Sequence, residues 1–255
     1  MRLTTVGTGT STPTAARVNA GYYVETAGAK ILLDCGSAVV HRLATLGLDW
    51  FGLTHVALTH FHPDHTSDLA TLIFAWRYGV LPPRSEPLDL IGPAGTTLLI
   101  DQIATLYGST IRDPGFPLAI RELAPGEGID LPDGTRLDAQ KVPHTAESIA
   151  YSLAGGGRRV VYSGDTGFDP AFADWARGCD LLLLECSLPD SMATNTHLTP
   201  ERCALVAERA QPRGLALTHF YPPVEQIDVQ AIVGARFGGN VVLAWDGWTT
   251  VIEDR

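Results

Sequence analysis

The chain has 255 residues, 45% apolar and 18% charged, with 28 acidic against 18 basic side chains and a formal charge of −10. Such a balance excludes a disordered or fibrous chain, and the length can bury a sizeable core without staples, in one large or two small domains. The acidic excess weighs against a surface that grips a long polyphosphate, and Arg158–Arg159 is the longest basic run.

Short strands are expected first, at Leu3–Val6, Gly21–Glu25 and Lys30–Leu33, separated by Gly, Thr and Ala turns. Ala38–Leu46 has helical spacing and stops at Gly47. A strand at His55–Leu58 runs into a polar cluster, and a helix over roughly His65–Tyr78 is closed by Gly79. Strand Leu88–Ile91 and helix Gly95–Tyr107 complete the first half. The Pro/Gly-rich stretch Asp113–Pro117 reads as a half-to-half connection or pocket-rim loop, and Gly108–Pro117 as a candidate lid. The second half opens with strands Arg136–Val142, Ser148–Ala154 and Arg159–Ser163. It continues as helix Pro170–Arg177, strand Asp180–Glu185, helix Pro200–Ala210, strand Gly214–Leu217, helix Val224–Ala235 and strand Val241–Ala244. Strands alternating with helices in two halves predict helices covering a layered β core. No low-complexity segment, short repeat or long linker stands out, so a single domain over residues 1–255 is expected.

The four cysteines, Cys35, Cys179, Cys186 and Cys203, form no CxxC pair and read as reduced core residues. The start carries no apolar leader, and no run approaches the roughly 20 apolar residues of a membrane span. A cytoplasmic protein with no membrane partner is therefore expected.

The strongest chemical signal is "LTHFHPDH", Leu58 to His65. His60 and His62 stand two apart at a strand end, so period two puts both rings on one side. Pro63 turns the chain, and Asp64 and His65 fall in the first turn of the next helix. Imidazole and carboxylate without thiolate suit zinc, with manganese or iron as alternatives. Three further candidates each follow an apolar strand: His144 in "KVPHT", Asp165 in "VVYSGDTG" and His219 in "LALTHFYP". Taken singly, such a His is more often a hydrogen-bonded structural residue, and Asp165 could simply cap a turn.

Together these positions resemble the metallo-β-lactamase-fold hydrolase superfamily, whose HxHxDH motif is followed by a His, an Asp and a last His in this order. The segments "VGTGTSTPT", "ILLDCG", "PLDLIGPAG" and "AWDG" are similar to the ribonuclease Z branch. The resemblance implies an α/β (α+β) chain in a four-layered αβ/βα sandwich of two similar halves. It implies two divalent metal ions, with Zn2+ favoured over Mn2+ or Fe. His60, His62 and His144 would hold one, Asp64, His65 and His219 the other, and Asp165 would bridge them with a water or hydroxide. Asp34 would orient a ligand His as its hydrogen-bond acceptor.

Glu185 ends the run "LLLLE" and His197 lies in "NTHLTP", 20 and 32 residues after Asp165. That order resembles phosphodiesterases of the ribonuclease Z type. The implied catalytic residues are Asp64, His197 and Glu185, with His197, held by Glu185, protonating a leaving alkoxide. Transfer-RNA-processing relatives insert an arm between the third motif His and the bridging Asp. Here Asp165 follows His144 by only 21 positions, enough for two strands and the turn Gly155-Gly156-Gly157. The expected activity is thus hydrolysis of small or cyclic phosphodiesters by a metal-bridging hydroxide. The alternatives are tRNA-precursor cleavage, or aryl sulfatase, lactonase or β-lactamase hydrolysis in the same site. A small-molecule ester is the expected partner ahead of nucleic acid, and a homodimer is admitted. Among the aromatics near the motifs, Phe220 and Tyr221 are the preferred pocket residues.

Overall fold

The computed structural model describes residues 1–253. Its strands in chain order are β1 (Arg2–Gly7), β2 (Gly21–Glu25), β3 (Lys30–Leu33), β4 (His55–Ala57), β5 (Leu88–Gly92), β6 (Leu118–Glu122) and β7 (Gly128–Asp130). They continue as β8 (Arg136–Lys141), β9 (Ile149–Gly155), β10 (Arg158–Tyr162), β11 (Leu181–Glu185), β12 (Gly214–Thr218), β13 (Asn240–Leu243) and β14 (Thr249–Val251). Two seven-stranded sheets result, ordered β14-β1-β2-β3-β4-β5-β6 and β13-β12-β11-β10-β9-β8-β7. Strands β3 to β6 run parallel, as do β10 to β13.

Strand periodicity sorts the core into three layers. Ile31 and Leu33 of β3 face the space between the sheets, where they meet Tyr162 of β10 and Leu181 and Leu183 of β11. Leu32 points the other way, onto helices α1 (Val39–Thr45), α3 (Leu69–Tyr78) and α4 (Thr96–Tyr107), in a cluster that includes Val39, Leu72, Trp76 and Ile100; the one-turn helix α2 (Pro63–Thr66) precedes α3. Leu182 and Leu184 likewise point outward to α5 (Pro170–Trp175), α6 (Pro200–Ala210) and α7 (Val229–Gly234) through Phe172, Cys203 and Val233. The layers are helix, sheet, sheet, helix, as the resemblance implied. Each fully buried Leu or Val contributes roughly 1.5–3 kcal/mol against exposure, so these alternating residues fix which face each strand turns inward.

Several elements differ from the sequence expectation. The helix expected over His65–Tyr78 is two pieces, because the chain resets at Ser67 and Asp68, where Asp68 Oδ2 accepts the Val40 N–H at 2.9 Å. The helix expected over Val224–Ala235 is a 3-10 turn, Val224–Gln226, followed by α7, whose start is capped by the Asp228 side chain on the Ala231 N–H. Strands β6, β7 and β14 were not anticipated; none has a fully buried residue, so none carries an alternating apolar signal. The Gly108–Pro117 stretch is no lid over the cluster described below. Ile111 and Phe116 are core residues, the Phe116 ring stands 5.8 Å from Trp76, and Thr110 meets Tyr78 at the far end of α3. All four cysteines are free and buried. Among the described residues no helix is long and apolar enough to cross a membrane.

Candidate metal centre

The parallel strands of both sheets deliver their C-terminal ends to one place, the usual position of ligand sites in α/β architectures. From the first sheet come Asp34 after β3 and His60 and His62 after β4, with Pro63 as the first residue of α2 setting Asp64 and His65 in its single turn. From the second come His144 between β8 and β9, Asp165 after β10, Glu185 at the end of β11 and His219 after β12. His219 adopts a left-handed backbone, φ 58°, which turns its ring back over the strand ends.

These residues converge as two groups. His60, His62, His144 and Asp165 bring ligand atoms within 4.8 Å of one another, as do Asp64, His65 and His219. Asp165 divides its carboxylate between them. Oδ2 lies 3.8 Å from His60 Nε2 and 3.7 Å from His144 Nε2, while Oδ1 lies 3.3 Å from His65 Nε2 and 3.4 Å from His219 Nε2. Asp64 Oδ2 stands 3.5 Å from His219 Nε2. His197 shares a third group with Asp165 and His219, so it faces the same space.

The rings are fixed from behind. Asp34 Oδ2 accepts from His65 Nδ1 at 2.8 Å and from the Tyr162 hydroxyl at 2.7 Å. Thr59 donates its hydroxyl to Asp34 and stands 3.0 Å from His60 Nδ1. His144 Nδ1 donates to the Thr196 carbonyl at 2.9 Å. With their outer nitrogens occupied, His60, His65 and His144 turn Nε2 inward, whereas His62 presents Nδ1, 3.1 Å from His60 Nε2 and 3.0 Å from His144 Nε2.

Converging nitrogen lone pairs repel unless a cation or protons lie between them. Asp165 Oδ1 is moreover buried and accepts no hydrogen bond. A buried, unpaired carboxylate oxygen ringed by imidazoles with oriented outer nitrogens is what a metal-binding shell requires. The donor set therefore fits divalent ions that take N and O ligands.

Electrostatics agree. Burial opposes the charge on Asp165, but His219, His65 and His60 hold its carboxyl well below the usual carboxylate range. Burial also opposes protonation of His65, yet Asp165 and Asp34 push it well above the ordinary His value. His60 is pushed down, by burial first and then by the neighbouring His65.

Beside the metal-type groups lies the pair Glu185 and His197. Glu185 is fully buried; its Oε1 accepts the Thr166 N–H at 2.6 Å and His197 Nδ1 at 3.0 Å. Its Oε2 accepts the Leu198 N–H at 3.2 Å and the Ser187 hydroxyl. Burial disfavours the His197 imidazolium, but Glu185, with Asp165 and Asp64, outweighs it and raises its pKa to about 9. Gly167 allows this loop to close: a Cβ there would lie 1.9 Å from the Asn195 carbonyl oxygen.

The metal-type residues His60, His62, Asp64, His65, His144, Asp165 and His219 and the pair Glu185–His197 come together in this constellation, with Asp34 directly behind it. Of the two preferred aromatics, Tyr221 lies at its edge, 6.2 Å from both the His197 and His219 rings, with its hydroxyl 3.0 Å from Ser11 Oγ. Phe220 does not line the site; it is a core residue lying beneath the Arg17 guanidinium. The orienting hydroxyls of Thr59, Tyr162 and Ser187 were not anticipated. The string Ala-Leu-Thr-His-Phe occurs twice, at 57–61 and 216–220, across the ends of β4 and β12, but the second Thr, Thr218, pairs with the Tyr22 hydroxyl instead.

A profile described as "Beta-lactamase superfamily domain" matches residues 29–220. The ribonuclease Z of Mycobacterium marinum is 27% identical over 273 aligned positions, covering 96% of each chain. Those positions outnumber the residues of this chain, so the relative carries insertions that are absent here. Among solved structures, the metallo-beta-lactamase fold protein YhfI from Bacillus subtilis superposes with a TM-score of 0.84 at 23% identity, covering 98% of both chains. Human tRNase Z, short form, gives 0.80 at 22% identity, covering 99% of this chain and 100% of its own.

Proposed function

The chain belongs to the beta-lactamase superfamily, on its ribonuclease Z-like side, and from that premise we propose a metal-dependent phosphodiesterase acting on small or cyclic phosphodiesters. The observation that carries this reading is the division of Asp165 between two ligand groups, beside a His–carboxylate pair. His60, His62 and His144 would hold one divalent ion, zinc by preference, and Asp64, His65 and His219 a second, with the Asp165 carboxylate available to both groups. Ions bound there would supply a nucleophilic water near neutral pH and offset charge on the phosphoryl oxygens.

The protein's own residues then act as follows. Asp34 and Thr59 lock the His65 and His60 rings, so no reorganisation is needed when the substrate arrives. His197, held at Nδ1 by Glu185, offers its Nε2 proton to the leaving alkoxide. Glu185 keeps the ring in that orientation and stabilises its charge. Asp64 counts with these catalytic groups, its Oδ2 standing 3.5 Å from His219 Nε2.

Two observations support a small substrate. The interval from His144 to Asp165 is filled by β9, β10 and their tight turn, leaving no protruding arm. The formal charge of the chain is −10. The second reading is a ribonuclease on RNA precursors, favoured by the name and full-length match of the mycobacterial relative. Metal analysis with kinetics on a panel separates them: an activated phosphodiester, cyclic nucleotides, a tRNA precursor, an aryl sulfate, a lactone and a β-lactam. Small diesters should dominate. Efficient tRNA cleavage at physiological salt would transfer the assignment to the ribonuclease, and dominant lactone, sulfate or β-lactam turnover would remove phosphodiester chemistry altogether. A homodimer is part of this reading and is tested by sedimentation equilibrium.

A further inference from the structure

We propose that Ser187 is a positioning residue: its hydroxyl fixes the His219 tautomer and ties that ring to the same buried carboxylate that holds His197. Ser187 is fully buried, and its Oγ contacts Glu185 Oε2 and stands 3.0 Å from His219 Nδ1. A hydroxyl has one proton. Glu185, as a carboxylate, can only accept, so that proton goes to Oε2. The remaining interaction must then be donated by His219 Nδ1–H into the Ser187 oxygen. His219 is left with Nε2 facing Asp64 Oδ2 and Asp165 Oδ1, at 3.5 and 3.4 Å.

The first half of the site repeats the device. Asp34 holds His65 directly and His60 through the Thr59 hydroxyl. Glu185 holds His197 directly and His219 through the Ser187 hydroxyl. Each half thus has one buried carboxylate at a strand end, one His bonded to it and a second reached through a hydroxyl. Glu185 therefore serves both proton transfer and the metal-binding shell, and Ser187 carries its second role.

The inference rests on the two-ion reading above, so its test has an arm that needs no metal. In the metal-free protein, at a pH where the ring is neutral, long-range proton–nitrogen NMR should show His219 protonated at Nδ1. A ring protonated at Nε2 would overturn the proposal. In the second arm, zinc is titrated against a competing chelator. Ser187→Ala, with unchanged circular dichroism, should weaken one binding event by about ten- to a hundred-fold and leave the other within about threefold. Ser187→Thr, which keeps the hydroxyl, should bind both ions as the parent does. Two unchanged affinities in the Ala variant, loss of both ions together, or a folded Thr variant that fails to restore binding would each sink it. If the parent itself binds no zinc, the two-ion reading fails, and the NMR arm alone decides the role of Ser187.

Discussion

At the scale of single residues, His197 is the group whose role separates binding from turnover. It touches the cluster, but its Nδ1 is committed to Glu185. Replacing it by Ala removes a proton donor and leaves the seven ligand side chains in place. His197→Ala should keep both ions by metal analysis and lose about 10²–10⁴ in turnover, the size of a general acid's contribution. The loss should shrink with leaving groups that depart without protonation. Equal rates on a poor-leaving-group diester would refute the role. The Glu185 contact makes a second claim. In the metal-free protein His197 should titrate near 9, and Glu185→Gln should bring it down towards 6.5, followed by NMR. The sign follows from linkage: a folded-state pKa above the unfolded value means that the native protein binds the proton more tightly. The pair's contribution to stability is then complete below about 6.5 and is lost as the pH rises through about 9. The ligands themselves were legible because His and Asp clustered in one short motif, and again after apolar strands, are a donor pattern that suits such ions. Ser187 and Thr59 were not, since Ser and Thr occur in every turn and only their partners distinguish them.

At the scale of elements, the site depends on loops that must touch. The loop after β10 carries Asp165, and the loop before α6 carries His197. Thr199 anchors the second one: its side chain caps the α6 start on the Arg202 N–H, and its hydroxyl donates to Asp190 at 2.6 Å. Gly167 is where the two loops meet, and a Cβ would run into the Asn195 carbonyl. Gly167→Ala should therefore destabilise by about 1–3 kcal/mol, read from the denaturant midpoint, because the obstacle is backbone rather than a flexible side chain. Turnover should fall further than zinc content, since Asn195 lies two residues from His197. Retained stability and turnover would show that the loops can part without consequence. Element existence was readable where apolar alternation is strong, as in β3 and β11. It failed at β6, β7 and β14, short strands without a fully buried residue, whose side chains leave no alternating apolar pattern. It failed again at Asp68 and Asp228, whose side chains bind backbone N–H groups and reset helices that periodicity alone would run through.

At the scale of the whole molecule, charge decides which substrate class the surface can serve. The formal charge of −10 includes Asp34, Asp64, Asp165 and Glu185, all buried at the site. Two dications would offset about four of these charges locally, so the total does not oppose a phosphodiester at the centre. It does oppose a long polyanion held across the exterior. Many basic groups are moreover engaged: Arg17 with Glu225, Arg121 with Asp89, Arg136 with Asp130 and Asp138, and Arg209 with Asp174. An extended RNA bound through several phosphates releases counterions, so its affinity falls by about 10³–10⁵ between 50 and 200 mM salt when six to ten phosphates are contacted. A small diester gripped only at the centre releases few. Its kcat/KM should therefore change by less than about tenfold over that salt range, because the charges that hold it are buried and weakly screened. A slope steep enough to cost three orders of magnitude would mean that the exterior contributes several phosphate contacts. The acidic surface would then be the wrong guide, and RNA the substrate class that this fold serves.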